Sequence, residues 1–408
     1  MTHFRQPLRL SRRGFLLGLT PAAAAVRRPG KGFKVTSQSV KFLDPLTERE
    51  MFRLTDPKIL HHLPHYHNRY ISKRDTFMLV ASERTGTRQI YRINLPDGDA
   101  EQLTEGSDVH PYSPFLAPND RSFFLLQGNA LKEISTGNGR EKTIYSTPQG
   151  WRMTGHLGLS WDGDLAALVE MQSGQMVDGF VEQYERKPRC RIVVVETARK
   201  RRNWVAVEEN VWLAHPQFRP GRREILYCHE GPWDKVDGRL RRISLDDRTK
   251  KNLLPRKANE QVGHEYWAGE GEEICYIHYP DETGRGATVR ALNPDSGAER
   301  EISRCTRFGW MMGNSDNSVI VGASSSIAGP NIYLLFTKIK REMTACEHGS
   351  SDKSYPVAGE RAVDPFAADP EPVFSPDSRF VYFVSDREGL PTIYRIKVED
   401  LVESTDQT

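Results

Sequence analysis

The chain has 408 residues, of which 38% are hydrophobic and 27% are charged, with 32 glycines and 25 prolines. This composition is typical of a globular protein and excludes an intrinsically disordered chain. No apolar run reaches the roughly 18–20 residues that a membrane-spanning helix needs. The five cysteines are widely scattered and include no Cys-x-x-Cys pair, which excludes a zinc ribbon or a thioredoxin-type site.

Residues 1–25 have the layout of an export signal. The adjacent Arg12 and Arg13 precede an apolar stretch at 15–19, and a run of alanines follows at 22–25. This order indicates the twin-arginine route and a periplasmic or secreted protein, with a basic disordered tail as the alternative. Removing the segment takes away four arginines and no acidic residue, so the net charge changes from +3 to −1. The remaining charge gives no reason to expect nucleic acid or an anionic membrane as a partner.

The body of the chain repeats one pattern seven times. Each copy has a large apolar residue, a polar turn and a short β-rich run, and the apolar residues are Tyr70, Phe115, Leu159, Phe218, Trp267, Met312 and Phe374. Successive copies lie 45, 44, 59, 49, 45 and 62 residues apart. The shorter spacings match the period of about 40–50 residues that β-propeller blades show.

Up to four β-rich runs can be traced in one copy, which predicts an all-β protein, a seven-bladed β-propeller with four-stranded blades. The last copy ends after its third strand near Val398, and an unpaired strand at 51–55 precedes the first copy. Pairing these two would close the ring and hide two sheet edges. The predicted organisation is therefore a signal at 1–25, a lead-in at 26–50, the propeller at 51–398 and a tail at 399–408.

Three residues before each apolar anchor lies a position that a core strand would fill with an apolar residue and that is mostly polar here. These positions hold His67, Tyr112, His156, His215, His264, Gly309 and Glu371. Two residues earlier, four copies carry His65, His110, Arg307 and Asp369. Alternate residues of a strand share one face, so both sets should point into the central channel. A single histidine is more often structural, but seven converging positions predict a site at the channel mouth.

Two further histidines should lie at the same rim. His229 ends the second strand of the fourth copy, and His278 holds the equivalent place in the fifth. Second strands run antiparallel to first strands, so their ends lie beside the first-strand starts. A histidine with an ordinary pKa near ~6.5 can act as a general base at neutral pH.

With these residues the chain resembles the oligogalacturonate lyases, seven-bladed propellers that cleave short pectin fragments by β-elimination. The resemblance runs from about Arg53 to Val398. Four segments carry it: residues 103–106, residues 215–220, the Cys-His-Glu-Gly-Pro stretch at 228–232 with Asp234, and the His-Glu-Tyr-Trp stretch at 264–267. It implies that His229 takes the C5 proton of a uronate. It also implies that His264 helps to hold a divalent metal, usually manganese, together with a Gln-x-x-His-Pro-His segment of the last copy.

That last segment departs from the family pattern. Phe366 stands in the place of the glutamine, and Asp369 and Glu371 stand in the places of the two histidines. One histidine with two carboxylates still suits manganese, with calcium as an alternative. The other interpretation is that metal binding is lost and the two residues are acids of the rim. The added negative charge would call for a cation, and the candidates are Arg69, Arg219 and Arg307.

We therefore predict an exported lyase that cleaves acidic, uronate-containing oligosaccharides, oligogalacturonides first, by metal-assisted β-elimination. His229 is the predicted base, and Arg219 orients the substrate carboxylate. The predicted metal ligands are His264, Asp369 and Glu371. The predicted substrate-binding residues are His67, Arg69, His156, His215 and Arg307. The alternative is a non-catalytic periplasmic propeller that binds a carbohydrate or protein partner. An insertion at 172–189 is either a lid over the mouth or plain surface.

Overall fold

The computed structural model describes residues 30–198, 202–232, 235–255, 260–280, 286–324, 329–351 and 368–403. Within these ranges the structure contains seven separate antiparallel sheets, and in each of them strands that follow one another within a blade are neighbours. This confirms the predicted seven-bladed propeller with four-stranded blades. The predicted signal at 1–25, together with Asp234 and Phe366, lies outside the described residues.

The strands follow one another blade by blade along the chain. Before the first blade come β1 (Lys34–Val35), β2 (Val40–Leu43) and β3 (Glu50–Arg53). The first blade contains β4 (His61–His62), β5 (Phe77–Ser82), β6 (Gln89–Asn94) and β7 (Ala100–Gln102). The second contains β8 (Phe115–Leu116), β9 (Ser122–Gln127), β10 (Ala130–Ser135) and β11 (Glu141–Ser146). The third contains β12 (Trp151–Leu159), β13 (Leu165–Gln172), β14 (Cys190–Glu196) and β15 (Asn203–Glu209).

The remaining blades continue the same order. The fourth contains β16 (Leu213–Phe218), β17 (Glu224–His229), β18 (Leu240–Ser244) and β19 (Lys250–Asn252). The fifth contains β20 (Gln261–Ala268), β21 (Glu273–Tyr279), β22 (Thr288–Leu292) and β23 (Glu299–Arg304). The sixth contains β24 (Phe308–Gly313), β25 (Val319–Ser324), β26 (Asn331–Phe336) and β27 (Arg341–Glu347). The seventh contains β28 (Val373–Phe374), β29 (Phe380–Ser385) and β30 (Thr392–Lys397), and β3 completes it.

The N-terminal strand closes the ring, as the sequence predicts. β3 pairs antiparallel with β30, and Met51 lies opposite Ile396. β2 continues the seventh sheet beyond β3, and β1 continues the first sheet beyond β7. The predicted lead-in at 26–50 therefore adds strands to two blades. Beyond Val398, Val402 is also buried against the last blade, so the packed chain extends into the predicted tail.

The repeated polar turn has a stereochemical cause. In every blade the hairpin after the first strand contains at least one residue with positive φ, and these include Asp75, Asp120, Gly163, Gly221, Gly271, Asn317 and Ser378. Left-handed backbone favours glycine, asparagine and aspartate. Serine side chains brace several of these turns, as where Ser72 Oγ accepts the backbone N–H of Phe77 at 3.0 Å. The turn thus fixes which residues recur in the sequence.

The second strand of each blade is buried on both faces, because neighbouring blades cover each sheet. All of β25 is buried, and so is β13 except for its last residue. Such strands read as continuous apolar runs rather than as an alternating pattern. The blade core is therefore apolar, and polar chemistry is left to the strand ends.

The insertion between β13 and β14 carries the one α-helix in the described ranges, α1 (Phe180–Glu185). β13 is a second strand, as β17 is, so the insertion leaves the third blade at the end where His229 ends β17. The part of the chain that the structure describes contains no helix that is long and apolar enough to cross a membrane.

Candidate active site at the channel mouth

The innermost strands break their pairing at the recurring polar positions. The register shifts lie between Met153 and Leu157, Ala214 and Gln217, Gly263 and Tyr266, and Phe308 and Trp310. Within these bulges His215 has a φ of 49° and His264 a φ of 52°, which is uncommon backbone for a residue with a side chain. Bulges redirect side chains and are frequent beside active sites. Here they turn histidines toward the axis.

The bulged strands bring a cluster of aromatic rings together at the channel mouth. The ring centroid of His65 lies 5.0 Å from that of His156, 5.2 Å from His215 and 5.5 Å from His67. His156 and His215 approach to 4.6 Å. Tyr112, from the second blade, stacks on His65 at 5.4 Å. The structure thus gathers the predicted residues His67, His156 and His215 around one axis.

His65, His67 and His156 are uncharged at neutral pH, and several ring nitrogens of the cluster have no hydrogen-bond partner. Burial, and then the neighbouring histidines, hold the pKa values of His65, His67 and His156 well below the usual range. Among the described residues the Nδ1 atoms of His67, His110 and His156 have no hydrogen-bond partner. Buried polar atoms without partners require an explanation, and a bound ligand with hydroxyl groups supplies one.

A buried ionic network supports the cluster from the fourth and fifth blades. The Arg239 guanidinium donates to Glu230 Oε1 at 2.8 Å and to Glu265 Oε2 at 3.2 Å. His215 Nε2 lies 3.3 Å from Glu230 Oε2, and the Cys228 thiol donates to Glu265. Burial acts to raise the pKa of Glu230, but Arg239 and His215 hold it well below the usual range. Both carboxylates therefore stay charged, and Glu230 fixes the orientation of the His215 ring.

His229 is the last residue of β17 and pairs with Leu213 at the start of β16. Its Nδ1 lies 3.2 Å from Arg241 Nη2, and Arg241 Nη1 donates to Glu209 at 2.6 Å. Burial, and then the Arg241 charge, lower the pKa of His229 to about 4. His229 is therefore neutral at neutral pH, the state that a general base requires.

The insertion places an aromatic side chain beside His229. The Tyr184 ring centroid lies 6.0 Å from that of His229, and the Tyr184 hydroxyl donates to the Lys235 carbonyl oxygen at 2.9 Å. Gly231 has a φ of 149°, and a Cβ there would lie 2.3 Å from Tyr184 Cδ2. Glycine at this position therefore gives the tyrosine its room. Of the two interpretations of the insertion, its position beside His229 agrees with a cover over part of the mouth.

The structure does not bring Arg219 to this end of the blades. Arg219 follows β16, at the end of that strand remote from Leu213. Its buried guanidinium is bound to Glu224 and to Asp295, each at 2.8 Å. A first strand that begins at the mouth ends away from it, so Arg219 belongs to the opposite face and lies apart from His229.

The other two predicted arginines lie at opposite ends of their blades. Arg69 pairs with Asp120 and donates to the Ala117 carbonyl oxygen, both in the turn of the second blade at the far face. Arg307 directly precedes β24 and is exposed, at the mouth end of the sixth blade.

The predicted metal ligands do not assemble into one site. Asp369 and Glu371 lie two residues apart just before β28, and burial, and then the Asp369 charge, raise the pKa of Glu371 to about 8. The charges that act on the pKa of His264 come instead from Glu265, Arg239, His215 and Glu230. Across the described part of the chain no three His, Cys, Asp or Glu side chains converge on a metal position. The trio therefore does not fit a metal in this conformation.

Four residues of the mouth were not predicted from the sequence: Tyr184, Glu230, Arg239 and Arg241. Glu230 lies within the family-like stretch at 228–232, which is a sequence signal for it, whereas Arg239 lies seven residues beyond that stretch. Arg241 and Tyr184 have no such signal, because one is a third-strand arginine and the other belongs to an insertion.

Comparison with known proteins gives a consistent result over nearly the whole chain. A family model described as oligogalacturonate lyase matches residues 29–402. The oligogalacturonide lyase of Pectobacterium atrosepticum is 28% identical over 393 residues, covering 91% of this chain and 99% of the relative. The oligogalacturonate lyase of Dickeya dadantii is 26% identical over 395 residues, with the same coverage.

Solved structures agree. An oligogalacturonate lyase in complex with manganese superposes with a TM-score of 0.83 at 25% identity, covering 90% of this chain and 98% of that one. An oligogalacturonate lyase from Vibrio parahaemolyticus superposes with a TM-score of 0.81 at 27% identity and the same coverage. The resemblance found in the sequence is confirmed, and the chain belongs to the oligogalacturonate lyase family.

Proposed function

We propose that this protein is a lyase that cleaves uronate-containing oligosaccharides, oligogalacturonides first, by β-elimination across C4 and C5. One observation carries the proposal: a neutral, half-buried His229 stands beside a fixed cation, Arg241, at the channel mouth. Family membership supports the substrate class, since the curated relatives are named for oligogalacturonides.

The chemistry requires a base and a positive charge. The C5 proton of a uronate is weakly acidic because it lies next to the C6 carboxylate. As a base removes it, negative charge develops on that carboxylate, and a nearby cation stabilises the charge. The bond from C4 to the leaving oxygen then breaks. His229 is in the protonation state to take the proton.

The histidine cluster supplies hydrogen bonds to sugar hydroxyls. His215 Nε2 donates to Glu230. Its Nδ1 lies 3.3 Å from His67 Nε2, so that nitrogen of His67 is engaged. His67 Nδ1 has no partner among the described residues and can form a hydrogen bond with a hydroxyl. Tyr184 adds an apolar face beside His229.

The predicted metal stays a prediction. Asp369 and Glu371 offer adjacent carboxylates of the kind that manganese or calcium prefers. We assign no step of the reaction to a metal, because His264 does not join them among the described residues.

The test is an elimination assay, in which unsaturated uronate products are followed by their ultraviolet absorbance. Oligogalacturonides and other uronate oligomers are compared with added manganese, with added calcium and with a chelator. We expect His229→Ala to lower kcat by about 10²–10⁴-fold at an unchanged melting temperature. His278→Ala, in the equivalent position of the fifth blade, is the matched control and should retain activity. Full activity of His229→Ala would refute the base assignment.

We also propose that residues 1–25 direct export through the twin-arginine route. The support is the Arg12-Arg13 pair ahead of an apolar stretch. Replacing both arginines by lysine should hold the protein in the cytoplasm of a bacterial host, as cell fractionation would show. Unchanged export of the double variant would refute this route.

A further inference from the structure

The lone pair that His229 needs as a base is already engaged. A neutral imidazole has one N–H and one lone pair, whereas a guanidinium has donors only. The 3.2 Å contact from Arg241 Nη2 therefore places the lone pair of His229 on Nδ1 and its proton on Nε2. While this contact persists, His229 cannot accept the C5 proton.

The guanidinium of Arg241 is anchored by its other nitrogens. Nη1 donates to Glu209 Oε2 at 2.6 Å, and Nε donates to the Gly238 carbonyl oxygen at 3.2 Å. The side chain is 21% exposed. Nη2 has only the His229 contact and a long one, 3.5 Å, to the Asp237 carbonyl oxygen. A small tilt of the guanidinium toward an anion that enters the mouth therefore breaks its contact with His229.

We propose that Arg241 is a catalytic residue whose Nη2 passes from His229 to the uronate carboxylate of the substrate. This inference rests on the proposed lyase function. The exchange frees the Nδ1 lone pair of His229 and places a positive charge where negative charge develops. Pairing with the substrate also cancels the charge that lowers the pKa of His229, so the base becomes stronger once substrate is bound.

The step balances as an elimination. The C5–H bond breaks and its proton moves to His229 Nδ1. The electron pair of that bond forms the C4=C5 double bond. The C4–O4 bond breaks, and O4 departs with its electron pair and takes a proton from water. No oxidant or reductant is needed.

The neighbouring arginines cannot take this role in the present arrangement. Arg239 is fixed between Glu230 and Glu265. Arg242, the next residue on β18, contacts Asp295 at 2.8 Å and Glu224 at 3.4 Å, which are the partners of the far-face Arg219. Successive residues of a strand point to opposite sides, so Arg241 is the member of this group that faces His229.

The first test compares Arg241→Met with its matched control Arg242→Met. We expect Arg241→Met to lower kcat/KM by about 10²–10³-fold, as for the loss of one charge-stabilising donor, and Arg242→Met to keep the wild-type value. Guanidinium chloride at low concentration should restore part of the Arg241→Met rate. In Arg241→Met the acid limb of the kcat/KM profile should move to higher pH, because Arg241 lowers the pKa of His229. Glu209, Glu230 and Arg239 also act on the pKa of that ring, and the substitution leaves them unchanged.

The second test does not depend on turnover. Nitrogen-15 NMR of the wild-type protein should show His229 with its proton on Nε2, and adding galacturonate should change the Nδ1 signal. Arg241→Met should lack that response. An active wild type with Arg241→Met at full rate and an unshifted pH profile would overturn this inference alone. A wild type inert toward every uronate oligomer would overturn the proposed function, and this inference with it.

Discussion

Replacing Arg239 by methionine should destabilise the fold by an amount that depends on pH. Arg239 is the shared cation of Glu230 and Glu265, and the three side chains are 9%, 9% and 0% exposed. Methionine fills much of the same space but leaves two carboxylates buried without a counter-charge. Breaking a buried ion pair in this way costs about 3–5 kcal/mol, a large share of the roughly 5–15 kcal/mol that stabilises a domain.

The sign of the pH dependence follows from the pKa directions. Arg239 lowers the pKa values of Glu230 and Glu265 in the folded protein, against the effect of burial. Their contribution to stability is therefore present above the unfolded pKa of about 4.3 and is lost as the pH falls through the folded values. In Arg239→Met, burial is opposed only by His215 and, at Glu265, by the Cys228 hydrogen bond, so both pKa values rise. Protonation removes the buried charge of these carboxyl groups. The loss of unfolding free energy relative to wild type should therefore be smaller at pH 5 than at pH 7.

The assay is urea unfolding at both pH values, followed by tryptophan fluorescence. The triple variant Arg239→Met, Glu230→Gln, Glu265→Gln removes all three charges and should regain much of the loss at pH 7. An Arg239→Met protein within about 0.5 kcal/mol of wild type at pH 7, the range of ordinary surface substitutions, would refute the reasoning. A deficit that stays the same at pH 5 would refute it as well.

Three further predictions concern other parts of the molecule. Tyr184→Ala should raise KM by up to about tenfold, because it removes an aromatic contact worth roughly 1 kcal/mol. Tyr184→Phe keeps the ring, so its KM should stay near the wild-type value. Steady-state kinetics measures both, and an equal rise in KM for the two variants would contradict a stacking role. Arg219→Met should lower the free energy of unfolding by about 2 kcal/mol without raising KM. A higher KM at an unchanged free energy of unfolding would instead show that Arg219 contacts the substrate. Met51→Ala, at a fully buried position of the closing strand, should cost about 2–5 kcal/mol in urea unfolding, and a smaller loss would mean that β3 contributes little to closure.

The fold could be predicted from the sequence because one physical requirement repeats seven times. Each hairpin needs a residue that tolerates left-handed backbone, and each second strand needs an apolar run that is buried on both faces. Asp75 and Asn317 meet the first requirement, and β13 and β25 meet the second. Ring closure by β3 could be predicted from the number of strands in each copy, since the last copy lacked its outer strand.

The site was harder to predict from the sequence. The rule that alternate residues of a strand share one face holds only where the strand is paired without interruption. The bulges at His215 and His264 break that pairing, and nothing in the local sequence marks them. Arg219 lies in a family-like stretch, although strand direction alone puts it at the far face. Arg239, directly before β18, and Arg241 within it look alike in sequence, and only their partners distinguish them.

Closure by β3 also governs how the molecule comes apart. In an open array of blades, loss of structure can begin at either end and travel inward, since an end blade has one neighbour. In this ring the two chain ends share one sheet, and Met51 and Ile396 are both buried within it. Every blade therefore has two neighbours, and opening any of them exposes apolar surface on both sides. We expect this arrangement to suppress partial opening, so that amide hydrogens of all seven second strands exchange together at a rate set by global unfolding.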